Sequence, residues 1–81
     1  MADVKLKCIY GNKVKLQNLR TQETSQYELV PFSEEKLSEN KISNYTEIGV
    51  AIWAKHEGDE VEIEIPGRGS DRYKIVSIEN A

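Results

Sequence analysis

The chain has 81 residues, of which 31% are charged and 38% hydrophobic, and its formal net charge is −3. These values indicate one soluble folded domain over residues 1–81, and they disfavour general nucleic-acid binding, which needs clustered Lys and Arg. No apolar run approaches the roughly 20 residues that span a bilayer and no signal-peptide core is present, so we expect a cytoplasmic protein without a membrane partner.

Apolar and charged residues alternate at the start of the chain and predict a first strand. Val4, Leu6, Cys8 and Tyr10 share one face of it, and Gly11 ends it. Cys8 is the only cysteine, so no disulfide can form within the chain, which agrees with a reducing cytoplasm. We interpret Cys8 as a small buried hydrophobic residue rather than a reactive thiol.

Two further strands are predicted on either side of a polar turn at residues 21–25. Val14 and Leu16 alternate with polar residues in the second strand, and Tyr27 and Leu29 do so in the third. The two strands therefore predict a hairpin.

Residues 31–40 (PFSEEKLSEN) predict a loop, because proline stands at the head and acidic residues and serines follow without a clean period. Two apolar residues interrupt this polar run. We expect these residues, Phe32 and Leu37, to pack the loop onto the body of the domain.

The first 20 residues are basic, and two interpretations of them remain open. The basic residues, opposed by a single acid in this stretch, are Lys5, Lys7, Lys13, Lys15 and Arg20. They form either the solvated outer faces of two strands or a weak basic patch that faces RNA or an acidic partner.

Residues 41–66 organise the rest of the chain, because they combine a cap, a short helix, a turn and a strand. Thr46 is predicted to be the N-cap, and Glu47 follows it where a negative charge meets the positive end of the helix dipole. One apolar stripe recurs at i, i+3 and i+4 through Ile48, Ala51 and Ile52. Gly58 is predicted to end the helix in the left-handed conformation. So short a helix must lie on a sheet to be stable.

The period changes to two after this helix and predicts a strand. Alternate residues point to opposite faces, with Val61, Ile63 and Ile65 on one and Glu60, Glu62 and Glu64 on the other. Residues 66–71 (PGRGSD) carry the strongest turn signal in the chain, and residues 72–78 predict a last strand. Together the elements predict an α+β fold, in which an antiparallel sheet of four to five strands carries one short helix on one face.

Catalytic and metal-binding residue sets are not found, and we expect no enzyme, no cofactor and no metal site. One histidine, His56, and one cysteine cannot make a structural zinc set or a nucleophile with its base. Glu60, Glu62 and Glu64 would lie roughly 7 Å apart along a strand, which suits a solvated face better than a cation site.

Trp53 lies about 100° from the apolar stripe of the helix. It either packs at the helix edge or forms an exposed anchor for a protein partner.

The run IGVAIWAKHEGDEVEIEIPGRGSDRYKIVSIE resembles the C-terminal domain of the bacterial transcript-cleavage factors GreA and GreB. The matching features are Ile48-Gly49, Ala51, Lys55, Gly58-Asp59-Glu60-Val61, Pro66-Gly67, Tyr73, Ile75 and Ser77-Ile78-Glu79. The resemblance covers about 70 residues in order. It implies an FKBP-like half-barrel and a transcription elongation module that binds RNA polymerase.

The resemblance also implies a docking site, because in this family the loop ahead of the helix docks on the rim of the polymerase secondary channel. Thr46 matches the family's Ser and Ile48 its Leu or Met, whereas Tyr45 replaces Ser or Asp and Glu47 replaces Pro. The predicted contact residues are Ser43, Asn44, Tyr45, Thr46, Glu47 and Ile48, with Trp53 and Lys55 flanking them.

The family's N-terminal coiled coil, whose acidic tip helps to bind catalytic Mg²⁺, has no counterpart in these residues. We therefore expect a non-catalytic module that docks and modulates elongation, with a monomer favoured. Two other functions remain open. One is an interaction domain for another protein or, weakly, for nucleic acid; the other is a prolyl isomerase of FKBP type, suggested by the implied fold alone.

Overall fold

Five strands form one sheet in the computed structural model, which describes residues 6–65, 67 and 69–80. The strands are β1 (Asn12–Asn18), β2 (Thr24–Leu29), β3 (Lys41–Ile42), β4 (Glu60–Ile65) and β5 (Gly69–Asn80). Helix α1 (Glu47–Ile52) lies between β3 and β4 in the chain, and two 3-10 turns, Phe32–Glu34 and Leu37–Glu39, lie between β2 and β3. The sheet order β3-β2-β1-β5-β4 confirms the predicted α+β class. One pair, β2 with β3, is parallel, so the sheet is mixed.

The long strand β5 contains a bulge, and residues on both sides of the bulge contribute to the core. Its pairing with β1 shifts between Lys15, which lies opposite Ser77, and Leu16, which lies opposite Ile75. Val76 is therefore the extra residue and is 40% exposed. Residues three apart would face opposite sides of a regular strand, but the bulge turns Ile75 and Ile78 to the same buried face.

One face of the sheet carries the hydrophobic core, and α1 lies on that face against β4. The helix contributes the buried side chain of Ile52, while Ile48 and Ala51 pack at its edge, as the apolar stripe predicts. Cys8 is fully buried, which confirms its interpretation as a core residue. The remaining buried hydrophobic residues of this cluster are Val14, Leu16, Leu29, Ile42, Val61, Ile63, Ile75 and Ile78.

The predicted first strand is not formed over the part of it that the structure describes, residues 6–10. Lys7 makes an isolated antiparallel bridge with His56. Cys8 donates its amide to the carbonyl of Lys55 and accepts from the amide of Ala54, each at 2.9 Å. These bonds fix the segment to the end of α1 rather than to a strand of the sheet. Val4 and Lys5 lie outside the described residues.

The helix ends earlier than predicted. Trp53 is its C-cap and Ala54 takes the left-handed conformation, with φ of 63°. The amide of Ala54 is bonded to Cys8, so it cannot continue the helical ladder. Gly58, with φ of 91°, instead forms the turn ahead of β4.

The loop of residues 31–40 does not pack as predicted, whereas strand β4 has the predicted alternation. Phe32 and Leu37 are 64% and 63% exposed, so the prediction that they pack the loop onto the domain is wrong. In β4 the alternation is confirmed where the structure describes it: Val61 and Ile63 are buried, and the glutamates are exposed. The side chain of Ile65 and residues 66 and 68 of the last turn lie outside the described part.

Among the residues that the structure describes, no helix is long and apolar enough to cross a membrane.

Candidate docking site ahead of the helix

The corner between β3 and α1, residues 43–46, is held by a compact set of hydrogen bonds. Thr46 caps the helix, because its Oγ1 accepts from the amide of Gly49 at 2.9 Å. The same hydroxyl donates to the carbonyl of Ser43 at 2.8 Å. One side chain thus satisfies the helix end and closes the preceding turn, which confirms the predicted N-cap.

Ser43 is the buried residue of this corner and makes several of its hydrogen bonds. It is fully inaccessible to solvent, and both its amide and its hydroxyl donate to Oε1 of Glu35. The hydroxyl in turn accepts from the amide of Tyr45 at 3.2 Å. Glu35 therefore ties the loop of residues 31–40 to the corner, and the buried Ser43 holds the corner in place.

The next residues of the predicted site face outward to different extents. Tyr45 is 78% exposed, and Glu47 is also exposed, while Asn44, Thr46 and Ile48 are half-buried. The Tyr45 ring packs edge-on against Phe32, with centroids 5.6 Å apart. Two exposed aromatic rings from separate segments therefore form one apolar projection.

A groove of about 460 Å³ runs beside Tyr45, and its polar lining residues are Asn40, Thr46 and Glu47. Leu37 lines it from the second 3-10 turn and Val50 from α1, and both are largely exposed. Its other apolar lining residues are Tyr27, Ile42, Tyr45 and Ile48. Phe32, Leu37 and Val50 lie beside the predicted site and were not predicted from the sequence as part of it. The available signal was the presence of two large apolar residues in an acidic loop without periodicity.

Trp53 and Lys55 lie at the other end of the helix. Trp53 is half-buried against the core, and its ring centroid is 4.9 Å from that of Tyr10. This contact supports the packing interpretation of Trp53. Tyr10 also donates its hydroxyl to Oδ1 of Asn44 at 2.9 Å, so it connects the two ends of the site. Lys55 is exposed and bonds Cys8 through its backbone carbonyl.

The lysines of β1 face solvent among acids and neutral side chains. Lys13 lies between Glu28 of β2 and Glu79 of β5 in the sheet register. Lys15 lies between Gln26 and Ser77. Opposite charges directly across a sheet attract one another, so the solvated-face interpretation describes Lys13 better than an open basic patch does.

His56 and Cys8 are the only histidine and cysteine of the chain, and each makes contacts within the fold. The backbone amide of His56 donates to Oδ2 of Asp59 at 2.8 Å, which closes a turn. Burial, and secondarily the charge of Asp59, raises the pKa of the Cys8 thiol to about 11, so it is protonated at neutral pH. Across the described residues, no three His, Cys, Asp or Glu side chains are grouped as metal ligands.

Comparison with known proteins gives a consistent result. The family described as "Transcription elongation factor, GreA/GreB, C-term" matches residues 5–80. The chain is 38% identical to transcription elongation factor GreA of Clostridium acetobutylicum over 68 residues, which cover 84% of this chain and 42% of that protein. It therefore spans less than half the length of this relative.

Two solved structures have the same fold. The crystal structure of Thermus aquaticus Gfh1 matches with a TM-score of 0.79 and 28% identity, over 86% of this chain and 46% of that one. The prokaryotic transcription elongation factor GreA/GreB from Nitrosomonas europaea matches with a TM-score of 0.73 and 29% identity, over 85% of this chain and 57% of that one.

Proposed function

Since this chain belongs to the family of GreA/GreB transcription elongation factor C-terminal domains, we propose that it docks on RNA polymerase through residues 43–48. In this proposal the domain binds the rim of the secondary channel, which the family resemblance implies. The observation that carries the proposal is the exposed ring of Tyr45 on a corner whose backbone is fixed by Thr46, Ser43 and Glu35. A rigid, exposed aromatic residue loses little conformational entropy on binding and is a frequent interface anchor.

In the proposed mechanism the domain acts by occupying the rim of the channel and does not catalyse a reaction. A domain bound at the channel rim would compete with other factors that enter the channel, or would tether further domains of the same polypeptide there. Cys8 is buried in the core and His56 lies in the turn ahead of β4, so neither side chain belongs to residues 43–48. We therefore propose a non-enzymatic module that modulates elongation, with RNA polymerase as its partner.

Binding of the purified chain to core RNA polymerase, followed by fluorescence anisotropy, tests this proposal. The test variant is Tyr45→Ala/Glu47→Ala, which removes the two most outward side chains of the corner. The matched control is Val76→Ala/Glu64→Ala, which removes one exposed apolar and one exposed acidic side chain elsewhere. We expect the corner variant to lose about tenfold or more in affinity, the effect typical of an interface anchor, and the control to bind normally.

Two results would contradict different parts of the proposal. Equal binding of the wild type and the corner variant would overturn the assignment of the site. If the folded wild type fails to bind core polymerase, the partner itself is wrong.

A further inference from the structure

The two edges of the sheet differ in how their backbone groups are used. At one edge lies β3, where Lys36 donates its amide to the carbonyl of Lys41 at 2.9 Å and accepts from the amide of Lys41 at 3.1 Å. The chain itself therefore covers part of this edge. At the other edge lies β4, which is paired on one side only, with β5. An unpaired edge is a template for a further strand.

Two hydrogen bonds of β5 fix which residues of β4 point their backbone groups outward. Ile75 donates its amide to the carbonyl of Asp59 at 2.9 Å, so Asp59 faces β5. The carbonyl of Arg72 accepts instead from the amide of Leu19, which follows β1, at 2.9 Å. Backbone groups of consecutive strand residues alternate in direction, so the amides and carbonyls of every second residue of β4 point away from β5. These outward-facing residues are Glu60, Glu62 and Glu64.

No other segment that the structure describes bonds to these outward backbone groups. The hydrogen bonds outside the sheet ladder include none to the backbone of Glu60, Glu62 or Glu64 among the described residues. Their side chains are exposed, whereas Val61 and Ile63, which face the core, are buried. The outer edge of β4, meaning the backbone amides and carbonyls of these three glutamates, is therefore available to another strand.

The side chains along this edge specify the charge of the added strand. The three glutamates form the outermost row of side chains on the solvent face. The cations opposite Glu60 and Glu62, which are Lys74 and Arg72, belong to β5, one strand further in. Glu64 lies opposite a neutral residue. Opposite charges directly across a sheet attract and like charges repel, so Lys or Arg on the incoming strand is favoured.

A second copy of this chain fits the edge poorly. Antiparallel pairing of two β4 strands about a two-fold axis at Glu62 would place Glu62 opposite its own copy and Glu60 opposite Glu64. Every pair on the solvent face would then be repulsive. The acidic row thus opposes self-association, as charges on edge strands commonly do, and leaves the edge to a partner of opposite charge.

We propose that the outer edge of β4 binds an extended basic segment of another protein, which joins the sheet as an antiparallel strand. Its Lys or Arg residues pair with the three glutamates, and its intervening apolar residues lie on the same face as Val61 and Ile63. Main-chain hydrogen bonds supply the affinity in this mode of recognition, and alternate side chains supply the specificity. The edge lies outside residues 43–48, so this inference does not rest on polymerase docking.

Hydrogen exchange of the free chain tests whether the edge is open. The amides of Val61 and Ile63 bond to β5 and should exchange slowly, whereas the amides of Glu62 and Glu64 should exchange rapidly. Slow exchange at Glu62 and Glu64 in the free chain would show that the edge is already occupied, and would overturn the inference.

A peptide titration tests the bound state. The probe is a capped peptide of about nine residues in which Lys alternates with Val, which is longer than β4. The ¹⁵N-labelled full chain is titrated with it and followed by NMR. We expect saturable shifts over residues 60–64 and slowed exchange at the amides of Glu62 and Glu64. A control peptide with Glu in place of Lys should not bind, and equal binding of the two peptides would overturn the inference.

Two N-methylated peptides of identical charge separate strand addition from general attraction. In the antiparallel register a residue opposite a glutamate exchanges both backbone hydrogen bonds with it. Methylation of the Lys amides therefore removes the donors that face β4 and should weaken binding at least about tenfold. Methylation of the Val amides alters the far edge of the peptide and should change the affinity by less than about twofold. Equal affinity of the two methylated peptides would contradict the proposed strand.

A matched pair of variants tests the acidic row. Glu62→Lys reverses the charge at the centre of the edge, while Glu79→Lys makes the same change at an exposed position of β5 outside its pairing with β4. We expect Glu62→Lys to weaken peptide binding about threefold or more and to reduce its salt dependence. Glu79→Lys should change the affinity little, and equal weakening by both variants would count against the edge as the site.

The outcomes distinguish this inference from the proposed function. The corner variant Tyr45→Ala/Glu47→Ala should bind the basic peptide as the wild type does, and loss of peptide binding in it would overturn the inference. A chain that binds polymerase but not the peptide would also overturn it and leave polymerase docking intact. A chain that binds the peptide as expected but not polymerase supports the strand addition and contradicts the polymerase assignment alone.

Discussion

Gly49 lies against the backbone of Ser43 so closely that a Cβ on Gly49 would fall 1.9 Å from the carbonyl oxygen of Ser43. The first turn of α1 is therefore in direct contact with the corner of residues 43–46. That carbonyl also accepts the hydroxyl of Thr46, so it has little freedom to move. A residue that weakens most helices is here the one that permits the corner to close.

Gly49→Ala is predicted to destabilise the domain, although glycine to alanine ordinarily stabilises a helix by about 1 kcal/mol. The added methyl group meets a backbone carbonyl rather than a flexible side chain, and overpacking of this kind costs about 1–3 kcal/mol. Urea unfolding of the variant measures the sign directly. Val50→Ala, at an exposed position of the same helix, is the control and should change the free energy of unfolding by less than about 0.5 kcal/mol. A more stable Gly49→Ala variant would contradict the close approach.

Glu35→Ala is predicted to loosen the corner. It removes the carboxylate that accepts from both the amide and the hydroxyl of Ser43, and a buried donor without a partner costs about 1–3 kcal/mol. Glu35→Gln keeps one oxygen acceptor and should lose less. Urea unfolding and hydrogen exchange at the amides of Ser43 and Tyr45 report the effect. Glu34→Ala is the matched exposed control, and equal loss in Glu34→Ala and Glu35→Ala would show that the contact does not stabilise the corner.

Local rules predicted the parts of this fold that depend on neighbouring residues. Thr46 is a cap because a hydroxyl directly before an apolar stripe can reach the third helical amide. Strand β4 was predicted because glutamates alternate with apolar residues in its sequence. The remaining features depend on contacts between distant segments. No periodicity in the sequence shows that Ala54 is bonded to Cys8, which ends the helix, or that Glu35 reaches Ser43.

The structure confirms the predicted helix cap at Thr46, whereas docking at this corner stays a prediction and the apolar surface beside it was not predicted. Thr46 and Ile48 match the family pattern, whereas Tyr45 and Glu47 depart from it, so the resemblance identifies the position of the corner. The sequence predicts that Phe32 and Leu37 pack the loop onto the domain, because large apolar residues are usually buried. They are exposed because the 3-10 turns bring them to the surface beside Tyr45 and the groove. Only the folded chain shows that they join the same surface.

Stability is predicted to fall at alkaline pH through Cys8. Burial raises the pKa of its thiol from 9.0 to about 11. Between these values the unfolded chain releases the proton and the folded chain retains it, so the folded state binds more protons and the free energy of unfolding decreases as pH rises. This contribution is fully present below pH 9.0 and lost as the pH approaches about 11.

Comparison of the wild type with Cys8→Ala isolates this contribution from the Tyr and Lys groups that titrate in the same range. The variant should be less stable at neutral pH, because it loses buried volume, and should show a shallower decline between pH 9 and 11. Parallel pH profiles of the two proteins would contradict a buried neutral thiol.

RNA binding by the outer face of the sheet is predicted to be weak because of the acids around Lys13. Glu28 and Glu79 lie directly across from it on the two neighbouring strands, where they offset the positive charge that a phosphate would meet. The double variant Glu28→Gln/Glu79→Gln should therefore bind labelled single-stranded RNA more tightly at low salt, and added salt should remove the gain. Adding Lys13→Ala to that variant should return binding to the wild-type level, as measured by fluorescence anisotropy. If the wild type already binds RNA as tightly as the double variant, the acids do not screen this lysine, and the sheet face would rank as a second functional surface.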